Sequence, residues 1–350
     1  MSSSGTIVGV GMSTPLGLDA RQSALVLRAR KVSPDRTTFR DRHGFEIGDV
    51  RARRLDDTCV GRARKVELAA PALAEAVRGL VGVQGPLPLF VSLPPRRSEK
   101  EEQLGADFLE ELSKRAGVPI ALEQSEPIAL GHAGFAVALG RALAHVASHA
   151  PAPAAARPRG ERPPRPFAIV GGLDSFHDPA VLAALDEERR LHGEGVWDGF
   201  IPSEAAAFLV VAPSGTGPAY ARVLAVATAM EREETAEDPP IGEASTEIVR
   251  AVAASMRTPI PWALPDVNGE NHRIKEWTFV RIRNRERFDD ERTVETRLYD
   301  ELGDVGAASG AVHAAYACQA FRLGFAPGPQ ALVTVASDGP ARGAFALEAT

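Results

Sequence analysis

The chain has 350 residues, 44% of them hydrophobic, with a formal net charge of −6 and a pI near 5.8. That length can bury a large core, as two or three domains or as one duplicated unit, and the acidic balance argues against a general nucleic-acid binder. Only two cysteines occur, Cys59 and Cys318, far apart and without CxxC spacing, which excludes a disulfide framework or a cysteine zinc site and fits a reduced compartment.

In chain order, Thr6–Val10 reads as a first strand, followed by a Gly/Ser/Thr/Pro turn through Gly17. Met1-Ser2-Ser3-Ser4-Gly5 lacks the basic and apolar regions of a secretion signal, and no apolar run is long enough to cross a bilayer, so a cytoplasmic protein is expected. Val66, Ala69, Leu73, Ala76 and Leu80 recur at helical spacing, with Pro71 marking a kink or a later start. Pro88–Leu93 reads as a buried strand, and Leu104, Phe108, Leu112 and Ala116 mark an amphipathic helix. Gly131 to Ser148 is a helix with Phe135, Leu139, Ala142 and Val146 on one side. Residues 149–166 are rich in Pro, Ala and Arg without apolar period and read as a flexible surface insertion. Phe167–Gly172 is a strand, Pro179–Arg190 a helix and Ala205–Ala212 a strand. Pro213-Ser214-Gly215-Thr216-Gly217-Pro218 is the best junction between halves 1–213 and 214–350. Beyond it come a long strand Ala219–Met230, a helix Glu243–Met256, a short strand Ala263–Val267, charged helix from Lys275, a small-residue helix Asp304–Phe321, and a hairpin of Ala331–Ala336 with Gly343–Glu348.

One phrase occurs twice. Leu130-Gly131-His132-Ala133-Gly134-Phe135-Ala136 and Leu302-Gly303-Asp304-Val305-Gly306-Ala307-Ala308 both read Leu-Gly-X-x-Gly-x-Ala, and each opens a small-residue helix that leads to a strand. A repeated helix start suggests a duplicated layered α/β fold. His132 and Asp304, at X, are the polar side chains of the two phrases and the first candidates for chemistry.

Five stretches in order resemble the β-ketoacyl synthase branch of the thiolase superfamily: Ile7–Gly17 as opening strand and turn, Gly131–Leu143 as nucleophile helix, Asp198-Gly199-Phe200-Ile201-Pro202-Ser203-Glu204-Ala205 as the Asp-Gly-Phe segment, Asp266-Val267-Asn268-Gly269 at the first histidine motif, and Gly303–Val312 at the second. The resemblance implies a five-layer αβαβα fold of two pseudo-symmetric halves and a dimer formed through a strand beside the nucleophile. In that family a cysteine at the first helix start attacks an acyl thioester, and two histidines assist decarboxylation. A helix N-terminus lowers a thiol's pKa and supplies N–H donors to an oxyanion.

All three catalytic positions differ here. His132 stands at the cysteine, Glu270 at the first histidine (a one-residue slip would bring Asn271 or His272 nearer) and Asp304 at the second; Tyr299 replaces a lysine, and Asp338-Gly339-Pro340-Ala341-Arg342-Gly343 replaces a Gly/Phe-rich gate. Cys318 lies one long helix run beyond Asp304, ~20 Å away at 1.5 Å per residue, and reads as core. Cys59 sits in a charged stretch. Neither is assigned as nucleophile.

His132, Glu270 and Asp304 fit three arrangements: a buried polar triad filling a disused site, a base held by two carboxylates, and a metal site of one imidazole and two carboxylates. The first is preferred, and no metal or cofactor is assigned. Gly9-Val10-Gly11 lacks the third glycine and helix context of a dinucleotide site. His272, Arg273, Lys275 and Glu276 could meet a pantetheine phosphate or an acidic carrier helix, but read first as a solvated helix start. Ser175 and His177 are too close in sequence for a catalytic pair. The expectation is a synthase-like protein that does not condense, acting as a structural or partner subunit of a homodimer or heterodimer and binding acyl chains or an acyl carrier protein. The alternative is a thioester hydrolase, decarboxylase or acyltransferase built on His132.

Overall fold

A computed structural model describes residues 5–29, 34–81, 83, 85–149, 166–232 and 241–350. The first half comprises β1 (Gly5–Ser13), α1 (Ala20–Ala29), a hairpin β2 (Asp35–Arg40) and β3 (Glu46–Asp49), α2 (Gly61–Val77), β4 (Leu89–Ser92), α3 (Ala106–Ala116), β5 (Glu126–Ile128), α4 (Gly134–Ser148), β6 (Ala168–Ser175), α5 (Pro179–Glu187) and β7 (Glu204–Pro213). The second comprises β8 (Ala221–Met230), α6 (Glu243–Ala253), β9 (Trp262–Pro265), α7 (Asn271–Arg283), β10 (Val294–Glu295), α8 (Tyr299–Leu302), α9 (Ser309–Leu323), β11 (Gln330–Ala336) and β12 (Ala341–Ala349).

Among the described residues the sheet runs β10-β9-β11-β12-β8-β1-β7-β6-β4-β5. It splits into two matching runs. β1-β7-β6 are antiparallel and β6-β4-β5 parallel. β8-β12-β11 are likewise antiparallel and β11-β9-β10 parallel. The runs join where Gly5–Ile7 of β1 pairs antiparallel with β8. α4 and α9 contact each other and strands of both runs, whereas α2 with α3 and α6 with α7 cover the outer faces. The result is the expected αβαβα layering.

The helices form where the apolar period demands. Phe135, Leu139, Ala142 and Val146 are all buried, as are Val66, Ala69, Leu73 and Ala76 of α2 and Phe108 and Leu112 of α3. α9 is buried from Ser309 to Ala320, and its alanines and Gly310 let it approach α4 closely. A Cβ on Gly310 would lie 2.7 Å from Phe135 Cβ. The structure also departs from the sequence reading. α2 runs unbroken through Pro71, whose ring faces solvent. α5 stops at Glu187, and α1 and the β2–β3 hairpin are new. Of the 149–166 insertion, 150–165 lie outside the described residues; His149 closes α4.

The repeated phrase is offset from the repeated structure by three residues. Gly131–Ala133 form a 3₁₀ turn leading into α4, and the matching turn before α9 is Gly306–Ala308. Gly131 (φ +68°) and Gly306 (φ +54°) are the left-handed residues that open the two turns, a conformation glycine adopts without a Cβ penalty. His132 therefore matches Ala307, and Asp304 stands in the extended lead-in to its turn.

Candidate functional site

His132 is fixed by its backbone. Gly131 N–H donates to Leu93 O (3.2 Å), Ser92 Oγ donates to Gly131 O (2.8 Å), and Ala133 N–H donates to Ser337 Oγ (3.0 Å), which itself donates to Leu130 O. The turn is thus tied to the end of β4 and to the β11–β12 loop. Asp304 is fixed from the Asp-Gly-Phe segment: its N–H donates to Ile201 O (2.8 Å) and its carbonyl accepts from Ser203 N–H (2.9 Å).

These two anchors bring His132 Nε2 within 2.9 Å of Asp304 Oδ1. The same carboxylate accepts from Gly306 N–H at Oδ1 (2.7 Å) and from Asn268 Nδ2 at Oδ2 (2.6 Å). Asn268 Nδ2 also donates to Glu270 Oε2 (2.9 Å). Glu270 is clamped from its other side by Arg190, whose Nε and Nη2 each donate at 2.8 Å. Arg190 further reaches both oxygens of Asp338 at 3.0 Å. Arg273 closes the network, donating to Asp338 Oδ1 (2.6 Å) and Ala336 O (2.5 Å), with Glu270 at 3.7 Å and Asp266 at 3.8 Å. His132, Asp304 and Glu270 are 3%, 3% and 4% exposed.

The structure therefore pairs His132 with Asp304 and joins Glu270 to them only through Asn268. It gives no direct contact between His132 and Glu270, so a base held by two carboxylates is not formed. Glu270 is the residue turned inward, whereas Asn271 and His272 are exposed. Among the described residues no group of three or more His, Cys, Asp or Glu is arranged to hold a metal ion.

Charge decides the protonation of the pair. Burial alone would raise Asp304 and lower His132. The imidazolium, Arg273 and the Asn268 hydrogen bond outweigh it at Asp304 and hold that carboxyl well below the usual carboxylate range. At His132, Asp304 and Asp266 outweigh burial and Arg273, and its pKa rises above the ordinary value. The carboxylates outweigh burial and Arg273, and the pair favours imidazolium–carboxylate. Asp338 is held low against burial by Arg273 and Arg190.

Several neighbours read differently from the sequence. Arg273 is not part of a solvated helix start but is buried in the network; His272 and Lys275 are exposed. Asp174 is held by Arg97 and accepts from Ala307 N–H (2.9 Å) at the second turn. Ser175 Oγ donates to Glu204 (2.7 Å), while the His177 ring faces Asp49 (3.1 Å) and Asp57 O (3.2 Å). Cys318 is fully buried, which pushes its thiol up strongly; burial also raises Cys59. Sequence reasoning missed Arg190, Asn268 and Ser337. Asn268 lay inside the quoted Asp-Val-Asn-Gly motif and could have been found there; Arg190 ends a charged run without distinguishing pattern.

No known family profile matches the chain, and no curated protein matches it. Solved structures do. The ishigamide ketosynthase/chain length factor is 14% identical with a TM-score of 0.76, each chain covered to 100%. A type II polyketide synthase acyl-carrier protein in complex with its ketosynthase bound to the hexaketide gives 13%, 0.75 and 100% of each chain. The ketosynthase from module 6 of the bacillaene synthase from Bacillus subtilis 168 gives 12% and 0.73, with 99% of this chain and 72% of that one covered. With the strand order, the central helix pair and the paired turns in place, the chain has the thiolase-like fold of the ketosynthases.

Proposed function

We propose that this protein is a ketosynthase-like subunit that does not condense acyl units and serves as a structural or partner component of an acyl-carrier-dependent synthase. The observation that carries this is the His132–Asp304 ion pair. At the helix start where the family resemblance puts a thiolate, the chain holds an imidazole engaged by a carboxylate; behind it Arg190 and Arg273 pair with Glu270 and Asp338, and Asn268 bridges Glu270 to Asp304. An imidazolium has no lone pair with which to attack a thioester, and Cys318 and Cys59 have thiols biased toward the protonated form. A synthase partner or acyl carrier protein fits the ketosynthase, chain length factor and carrier-protein neighbours. A dimer, with itself or with a cysteine-bearing synthase, would use the short strand β5, which among the described residues pairs only with β4 at the edge of the sheet. The reading includes two thiolase-like halves divided at 213/214 and a reduced, cytoplasmic setting.

A second reading rests on one observation. Among the described residues His132 Nδ1 has no hydrogen-bond partner. Asp304 would then orient the ring through Nε2–H and leave Nδ1 to take a proton from water or substrate, as in thioester hydrolysis, decarboxylation or acyl transfer.

Mass spectrometry after incubation with acyl-CoA and malonyl-CoA tests both readings. The subunit reading expects no acyl adduct, no decarboxylation and no turnover, together with co-elution with a cysteine-bearing ketosynthase. Covalent acyl loading refutes it. Thioester turnover that disappears in His132→Ala establishes the second reading instead.

A further inference from the structure

Far from the His132 turn, at the opposite end of the same helix, two histidines lie one turn apart. His145 is in the last turn of α4 and His149 is its C-terminal cap. Their rings are stacked, with centroids 4.2 Å apart and planes 22° from parallel. His149 Nδ1 lies 2.8 Å from the carbonyl of His145. A carbonyl oxygen only accepts, so Nδ1 carries the hydrogen and the lone pair of His149 is on Nε2. Metal-binding histidines are commonly held in this way, with the second ring nitrogen donating to a backbone carbonyl. Among the described residues the His145 ring nitrogens have no hydrogen-bond partner.

We propose that His145 and His149 form a two-imidazole binding site for a divalent transition-metal ion of the copper(II), nickel(II) or zinc(II) type. Histidines at i and i+4 face the same side of a helix, and a 4.2 Å separation of the ring centroids sets the two imidazoles within reach of one ion, whose bonds to imidazole nitrogen are about 2.0–2.1 Å long. Two further features favour a cation here. The site is at a helix C-terminus, where unpaired carbonyls give a negative potential. Arg141, one turn earlier, is directed toward Glu126 at 3.6 Å. Two protein ligands leave the remaining positions open to water or to an incoming donor, and the Irving–Williams order makes copper(II) the tightest ion.

The test is titration of the full-length protein with copper(II), followed by calorimetry and electron paramagnetic resonance. The wild type is expected to bind one equivalent with a two-nitrogen hyperfine pattern. His145→Ala/His149→Ala is expected to lose that equivalent, and each single variant to bind at least about tenfold more weakly because the chelate is broken. Unchanged far-ultraviolet circular dichroism checks that the exposed helix end still folds. If the double variant binds the same equivalent with the same spectrum, the ion sits on another exposed histidine, His43, His192 or His272, and the proposal is overturned. Absence of binding to the wild type overturns it equally. Neither result bears on the subunit reading.

Discussion

Replacing Asp304 by Asn tests the charge logic of the site most directly. The carboxylate accepts three hydrogen bonds, from His132 Nε2, Gly306 N–H and Asn268 Nδ2. The amide oxygen can keep the first two, which share Oδ1. The amide nitrogen then faces Asn268 Nδ2, donor against donor, until Asn268 turns its own amide. Removing one partner of a buried ion pair costs about 3–5 kcal/mol, and the retained hydrogen bonds put this substitution at the lower end, about 3 kcal/mol. The loss depends on pH in a defined direction. His132 has a raised folded pKa, so its contribution is complete below its unfolded pKa of about 6.5 and fades as pH rises through the folded value. Asp304 has a depressed folded pKa, so its contribution is complete above its unfolded pKa of about 3.9 and fades only as pH falls through the folded value. The stability gap between wild type and Asp304→Asn is therefore widest between about pH 4 and 6.5 and narrows above it, by about 1.4 kcal/mol for each unit by which His132 is raised. In the variant, burial and Arg273 act on His132 without the carboxylate that countered them, and its pKa falls. Urea denaturation across this range, with nuclear magnetic resonance titration of His132 identified through His132→Gln, measures both quantities. A wild-type His132 that titrates at or below the ordinary value, or a stability gap that does not change across neutral pH, would refute the reasoning.

Arg190→Met leaves the buried Glu270 carboxylate with Asn268 and a more distant Arg273 as partners and strips Asp338 of one of its two arginines; a loss of about 3 kcal/mol in urea unfolding is expected, and an unchanged midpoint would show that Arg273 suffices. Gly310→Ala and Gly140→Ala form a matched pair. A Cβ on Gly310 meets Phe135 at 2.7 Å and should cost about 1–3 kcal/mol, whereas on Gly140 the nearest atom is Val226 Cγ1 at 3.9 Å and helix propensity should add up to about 1 kcal/mol; thermal unfolding gives the two signs. An aromatic disulfide reagent should modify the partly exposed Cys59 in the folded protein and reach the buried Cys318 only after unfolding, and fast labelling of both would contradict the packing of α9.

How far the sequence reaches can be read from particular elements. The strands were open to it because alternating and continuous apolar runs such as Ala205–Ala212 and Ala331–Ala336 report burial on one or both sheet faces, and the helix phases of Phe135–Val146 and Val66–Ala76 report a single buried stripe; their order in the sheet was not. α1 and the β2–β3 hairpin escaped because their sequences are mixed and charged, and they gain their conformation by packing against the rest. Pro71 was misjudged because its ring lies on the solvent side while burial of Val66, Ala69, Leu73 and Ala76 holds the helix through it. At the site, the repeated phrase pointed to His132 and Asp304, and the family resemblance added Glu270. They were not enough to show which of these meet.

By itself, then, the sequence determined the two-half α/β architecture, the central small-residue helices and the absence of a cysteine at the first helix start, because local periodicity and residue identity carry that information. The tertiary structure alone decided three things. The repeated turn begins at Gly131 and Gly306, three residues out of step with the repeated phrase, because a left-handed φ belongs to backbone geometry and is not marked by a glycine alone. Arg190 and Asn268 complete the network because side chains from separate segments converge only once the halves close on each other. His132 is drawn toward the imidazolium because the balance between burial and a carboxylate at 2.9 Å is set by distance, which no one-dimensional pattern contains.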